Sequence, residues 1–122
     1  MIKRLKYPEI DFNKYSACIE SAAQYKYTAE RSFLDIVSGN NWELLVYKDY
    51  EAVMPVPYIF KFGLRFVLNP NLCQQLGIFS KKDMVGLNEE FLAFFRQNYR
   101  IWYYAFNDSN GFRSPLPTRK IF

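Results

Sequence analysis

The sequence contains no histidine. That absence excludes Ser-His-Asp and Cys-His nucleophilic centres and every His-based zinc site. Cysteine is almost as scarce: Cys18 and Cys73 are the two in the chain. They are too few to staple a small secreted domain, and no Cys-x-x-Cys spacing supports a redox or zinc role. Both stand among apolar residues, which predicts reduced core thiols. No apolar run approaches the roughly 18–20 residues of a membrane span. The first residues, Met1 to Pro8, have charges but no apolar stretch behind them, so they do not read as a signal peptide. A cytoplasmic, soluble protein is expected, with no metal site. Internal repeats and low-complexity segments are also missing.

What the chain does have is aromatic bulk. Twelve Phe, ten Tyr and two Trp stand in 122 residues, half of which are hydrophobic. Aromatics bury large areas and suit strands, so one domain over residues 1–122 with one core is expected. The net charge is +4, from 16 Lys/Arg and 12 Asp/Glu. The excess gathers at the termini: Lys3, Arg4 and Lys6 at one end, Arg113, Arg119 and Lys120 at the other. Solvated termini account for such a pattern, and a phosphate-facing patch is the alternative. Nucleic-acid modules cluster charge more densely on one element, so nucleic acid is not the expected partner.

Residues 2–6 read as a short edge strand. Asp11 stands at an N-cap position, and Phe12, Tyr15, Ile19 and Ala22 then recur at helical spacing over about four turns. Thr28 reads as a second N-cap with Glu30 in the first turn, followed by the apolar face Phe33, Leu34 and Val37. Gly39-Asn40-Asn41 is a helix stop. Trp42–Tyr47, a turn at 48–50, and a return strand from Glu51 follow. Pro55 and Pro57 lie two apart, so both nitrogens face one side of the strand; it must bulge there or form an edge. Tyr58–Phe60 continues that strand, and Leu64–Leu68 is a third, ended by Asn69-Pro70-Asn71. Residues 72–87 read as irregular. A helix is expected from Asn88, with Glu89 and Glu90 in its first turn and a greasy face of Phe91, Leu92, Phe94 and Phe95. Ile101–Phe106 is the final strand, and 107–111 a loop. The fold class is α/β (α+β) with a mixed sheet, in the order strand, helix, helix, three antiparallel strands, helix, strand.

That order resembles the GNAT acyltransferase fold. The blocks Phe33–Val37, Asn41–Val46, Asp49–Pro57, Asn69-Pro70 and Cys73–Ser80 resemble the opening domain of Fem-like bacterial GNAT proteins, over roughly residues 10 to 106. Members of that family usually continue into a second lobe. The helix and two strands that finish a GNAT fold have no counterpart here, so the chain is expected to be either a fragment or a naturally reduced form.

The resemblance implies acyl-coenzyme A as the donor of a full-length protein, its pyrophosphate held on backbone N–H groups at a helix start. Gln74-Gln75-Leu76-Gly77-Ile78-Phe79 is the nearest match to the Arg/Gln-x-x-Gly-x-Gly/Ala signature. Phe79 stands where a small residue is needed, and Glu89 and Glu90 would oppose the phosphates. The plainer reading is a structural loop in which Gly77 relieves a tight turn. Gln74 and Gln75 suit either a substrate polar group or the loop's own backbone. Acyl transfer wants a base near the amine and an acid near the thiolate. Glu51 or Glu43 is the candidate base and Tyr104 the candidate acid. Solvent-facing acids and a core tyrosine are the alternatives. Phe66, Tyr103 and Tyr104 are read as packing rather than a base-stacking platform. The implied role is acceptor binding without autonomous catalysis, with no cofactor bound by this chain alone. A non-enzymatic binding module is the alternative. Partners are expected to be a second copy of the chain or a C-terminal GNAT lobe, with no membrane.

Overall fold

Strand β1 (Ile2–Leu5) opens the computed structural model, which describes residues 2–70 and 75–113. Helices α1 (Phe12–Ser21) and α2 (Arg31–Ser38) follow, then the meander β2 (Trp42–Tyr47), β3 (Ala52–Lys61) and β4 (Leu64–Leu68). A two-residue strand β5 (Phe79–Ser80), helix α3 (Val85–Asn98) and β6 (Ile101–Tyr103) complete the order. The architecture is mixed α+β. Among the described residues one six-stranded sheet runs β1-β2-β3-β4-β6, with β5 beside β3. Every pairing is antiparallel except β4 with β6, which is parallel.

The cap residues behave as their chemistry requires at two ends. Asp11 accepts the Lys14 N–H at 3.2 Å to start α1. Gly39 adopts φ 62° and returns its N–H to the Asp35 carbonyl to end α2. The start of α2 corrects the expectation. Tyr27–Ala29 is a 3-10 turn and Glu30 takes the N-cap position, so Glu30 is not in the first turn. The Thr28 hydroxyl instead donates to the Gln75 carbonyl at 3.2 Å, a tertiary contact that removes it from capping.

The two prolines of β3 open a gap in the sheet. The Tyr58 N–H donates to the Asn41 carbonyl at 3.0 Å. Alternation along an antiparallel pair then places Pro55, opposite Leu44, and Pro57, opposite Trp42, at positions that do not bond β2. Their nitrogens face the other side. There β5 pairs with Ala52 and Val53, and β4 pairs from Tyr58 onward, so, among the described residues, 54–57 have no strand partner on that side. The expected local edge is present, in the middle of the sheet.

Helices cover both faces. Trp42 meets Tyr15 of α1 with ring centroids 5.2 Å apart, whereas Glu43, on the opposite face, meets Tyr99 just beyond α3. Residues Trp42–Val46 and Ala52–Pro57 are accordingly buried throughout. Three more expectations need correction. The stretch 72–87 is not wholly irregular, since it holds β5 and the first turn of α3. Because α3 begins at Val85, no acid lies in its first turn, and Glu89 and Glu90 fall in the second. The last strand stops at Tyr103, with Phe106 in an isolated bridge to Leu76. No helix among the described residues is long and apolar enough to cross a membrane.

Candidate functional site

A hollow of about 620 Å³ lies where α1, the β2–β3 turn and the start of α3 converge. Lys14, Cys18 and Ser21 reach it from one face of α1, since their spacings of four and three place them in a row. The β2–β3 turn contributes Asp49 and Glu51, and the segment after β5 contributes Lys81 and Lys82. Lys14 Nζ bonds Asp49 at 2.7 Å across the rim. The volume is within the range of small-ligand sites. Cys18 lacks the lowered pKa of an activated thiol. Its thiol lies 3.6 Å from the Phe79 carbonyl, and burial pushes its pKa up to about 11 against the opposing charge of Lys81. The hollow therefore offers a binding surface with charges of both signs at its rim. Glu51 is exposed on that rim.

Glu43 lies elsewhere, on the α3 side of the sheet, and is 2% exposed. Its Oε1 accepts Arg4 Nε at 2.7 Å and the Tyr99 hydroxyl at 3.0 Å, and its Oε2 accepts Arg65 Nη1 at 2.7 Å. The hydrogen bond to Glu43 holds Arg4 more firmly protonated than an ordinary guanidinium, against the contrary effect of its burial. Burial, then the charge of Glu43, raises the Tyr99 phenol far above the usual tyrosine range. Both Glu43 oxygens are thus already engaged by side chains of this cluster.

Tyr104 closes the gap left by the prolines. Its hydroxyl donates to the Pro55 carbonyl at 2.8 Å and accepts the Gly77 N–H at 2.8 Å. The three candidates for acid–base chemistry are thus not brought together: Glu51 lines the hollow beside α1, Glu43 lines another, and Tyr104 is buried in the sheet.

The proposed phosphate loop is internally satisfied. Gly77 has φ 103°, and a Cβ there would lie 2.5 Å from Asn110 Oδ1, so close packing as well as backbone conformation requires glycine. The Ile78 N–H donates to Asn110 Oδ1 at 2.9 Å. Gln75 is half-buried and offers its carbonyl to Thr28; Gln74 lies outside the described residues. At the start of α3 a carboxylate already sits where a phosphate would need positive potential. Asp83 accepts from Asn88 at 2.9 Å, Asn110 at 3.0 Å, Gln24 at 3.1 Å and the Gly111 N–H at 3.0 Å. Burial alone would raise its pKa, but these hydrogen bonds outweigh it and hold the carboxyl below the ordinary value. The residues present therefore do not fit the pyrophosphate of acyl-coenzyme A.

Sequence reasoning missed the Asp83 knot and the arginines around Glu43. The run Asn107-Asp108-Ser109-Asn110-Gly111 signals a loop, but its amides bond residues about thirty positions away, which no local pattern reveals. No family model, curated protein or solved structure matches the chain.

Proposed function

We propose that the chain is a GNAT-like lobe that binds the acceptor side of an acyl transfer and does not itself transfer the acyl group. The support for the fold family is the element order, with a meander followed by a helix and a strand parallel to β4. One observation carries the division of labour. The backbone N–H groups of Gly77 and Ile78 that would cradle an acyl donor are taken by Tyr104 and Asn110, and the Asp83 carboxylate stands just before the start of α3. What stays open is the hollow beside α1, where Asp49 and Glu51 suit an amine and the apolar floor suits the body of a peptide-like acceptor.

The test is a pair of amide-resolved NMR titrations of the chain, one with acetyl-coenzyme A and one with a short lysine-bearing peptide. The peptide is expected to shift the amides of Lys14, Cys18 and Glu51, and acetyl-coenzyme A to shift none saturably. Micromolar acetyl-coenzyme A binding, or thiol release in the presence of the peptide, overturns the reading. A non-enzymatic binding module is the second reading. It is favoured by the fact that Glu43, Tyr104 and Gly77 all have structural partners. Under that reading the peptide produces no shift in the hollow.

A further inference from the structure

We infer that the cavity around Glu43 is a binding site for a small oxyanion, a phosphate or carboxylate group, received by the guanidinium groups of Arg4 and Arg65. The site goes beyond the acyl-transfer reading and does not depend on it.

The cavity measures about 350 Å³ and is assembled from the far reaches of the chain: Arg4 from β1, Glu43 from β2, Arg65 from β4, and Tyr99 and Arg100 from the α3–β6 connection. Its charge is unbalanced. Three arginines line it with one acid, and that acid is already bonded through both oxygens. A guanidinium carries more N–H donors than the bonds to Glu43 and to the Asn98 carbonyl use. The unused donors are reachable, since the Arg4 and Arg65 side chains are 37% and 45% exposed.

The arginines are also held in place. Arg4 stacks over the Tyr99 ring at 4.3 Å and Arg65 over the Tyr58 ring at 4.7 Å. Stacking fixes the plane of each guanidinium, and the bond to buried Glu43 fixes its direction. Two planar forks fixed around one void, with surplus positive charge, are what recognition of an oxyanion requires. Glu43 acts here as a positioning residue: it aims the arginines and leaves the remaining donors to the ligand. A purely structural Arg-Glu-Arg cluster would need the two ion pairs but would predict no response to anions.

The experiment titrates the full chain with inorganic phosphate and, separately, with acetate. Chloride at matched ionic strength is the control, and the arginine side-chain Nε–Hε resonances are the readout. A saturable shift of Arg4 and Arg65 with phosphate or acetate and not with chloride is expected, and the stronger of the two identifies the group recognised. Arg65→Lys keeps the charge beside Glu43 but removes the fork, so it is expected to weaken binding about tenfold while the chain stays folded. Arg4→Lys is the second variant, should the first lose its fold. The inference is overturned by no saturable shift, by a shift that chloride reproduces, or by affinity that neither lysine variant in a folded chain reduces.

Discussion

Cys18 shows how a single side chain is reassigned by its surroundings. Three turns of α1 place it beside Lys14 and Ser21 on a hollow, where a thiol invites a reading as a nucleophile. Burial decides otherwise: the ordinary thiol value of 9.0 rises to about 11, because the anion would lose water that the nearby Lys81 only partly replaces. The sign of the linkage follows. The folded chain keeps the Cys18 proton to higher pH than the unfolded chain does. This thiol adds no pH dependence below its unfolded pKa, and stability falls as pH rises from about 9 toward about 11. In a Cys73→Ser background, iodoacetamide alkylation of the folded chain should therefore rise with a midpoint near 11, and in urea with a midpoint near 9.0. A folded-state midpoint at or below 9.0 would restore Cys18 as a reactive group.

At the scale of elements, the segment from Gln75 to the start of α3 is held by hydrogen bonds rather than by regular pairing. Asp83 ties together Gln24 beyond α1, Asn88 in α3, and Asn110 and Gly111 in the loop after β6. Asp83→Asn keeps the shape but presents an N–H₂ to partners that are themselves donors. It should cost about 1–3 kcal/mol at neutral pH, read by urea denaturation. The pH signature is specific. A carboxyl held below its ordinary 3.8 contributes stability that is fully present above that value and is lost as pH falls through the folded pKa. The variant should therefore lose less stability than the parent on going from neutral pH into that acid range. An equal loss in both chains would mean that Asp83 does not carry this linkage. The same knot explains what the sequence disclosed and what it withheld. The Asp11 and Gly39 caps, the meander and the interrupted edge at Pro55 and Pro57 were legible, because each depends on residues next to one another. Thr28 misled because its hydroxyl answers to Gln75, 47 positions away. The early start of α3 and the strand β5 were hidden for the same reason. Of the candidate site, Glu43 and Tyr104 were found as residues, but their roles are set by partners 39 and 49 positions distant.

At the scale of the whole molecule, the greasy face of α3 is turned inward: Phe91 and Phe95 are fully buried against the core and Phe94 is half-buried. Among the exposed apolar side chains are Phe60, Phe62 and Leu64 on the β3–β4 hairpin and Trp102 on β6. Phe62 is 98% exposed at φ 54°, the left-handed conformation that the two-residue turn it forms with Gly63 requires. Beside this cluster, β6 is the last strand in the sheet order, with no strand on its outer side among the described residues. An unpaired strand edge next to apolar side chains is a template for another strand. The predicted occupant is β6 of a second copy, antiparallel across a two-fold axis, which would close the assembly at a dimer. Sedimentation velocity over a concentration series should show a species of twice 14.6 kDa growing with concentration. Trp102→Lys puts a charge on the pairing strand and should hold the chain as a monomer throughout the series. A parent chain that sediments at 14.6 kDa at every concentration rules out the dimer, and a dimer that survives Trp102→Lys moves the interface away from β6.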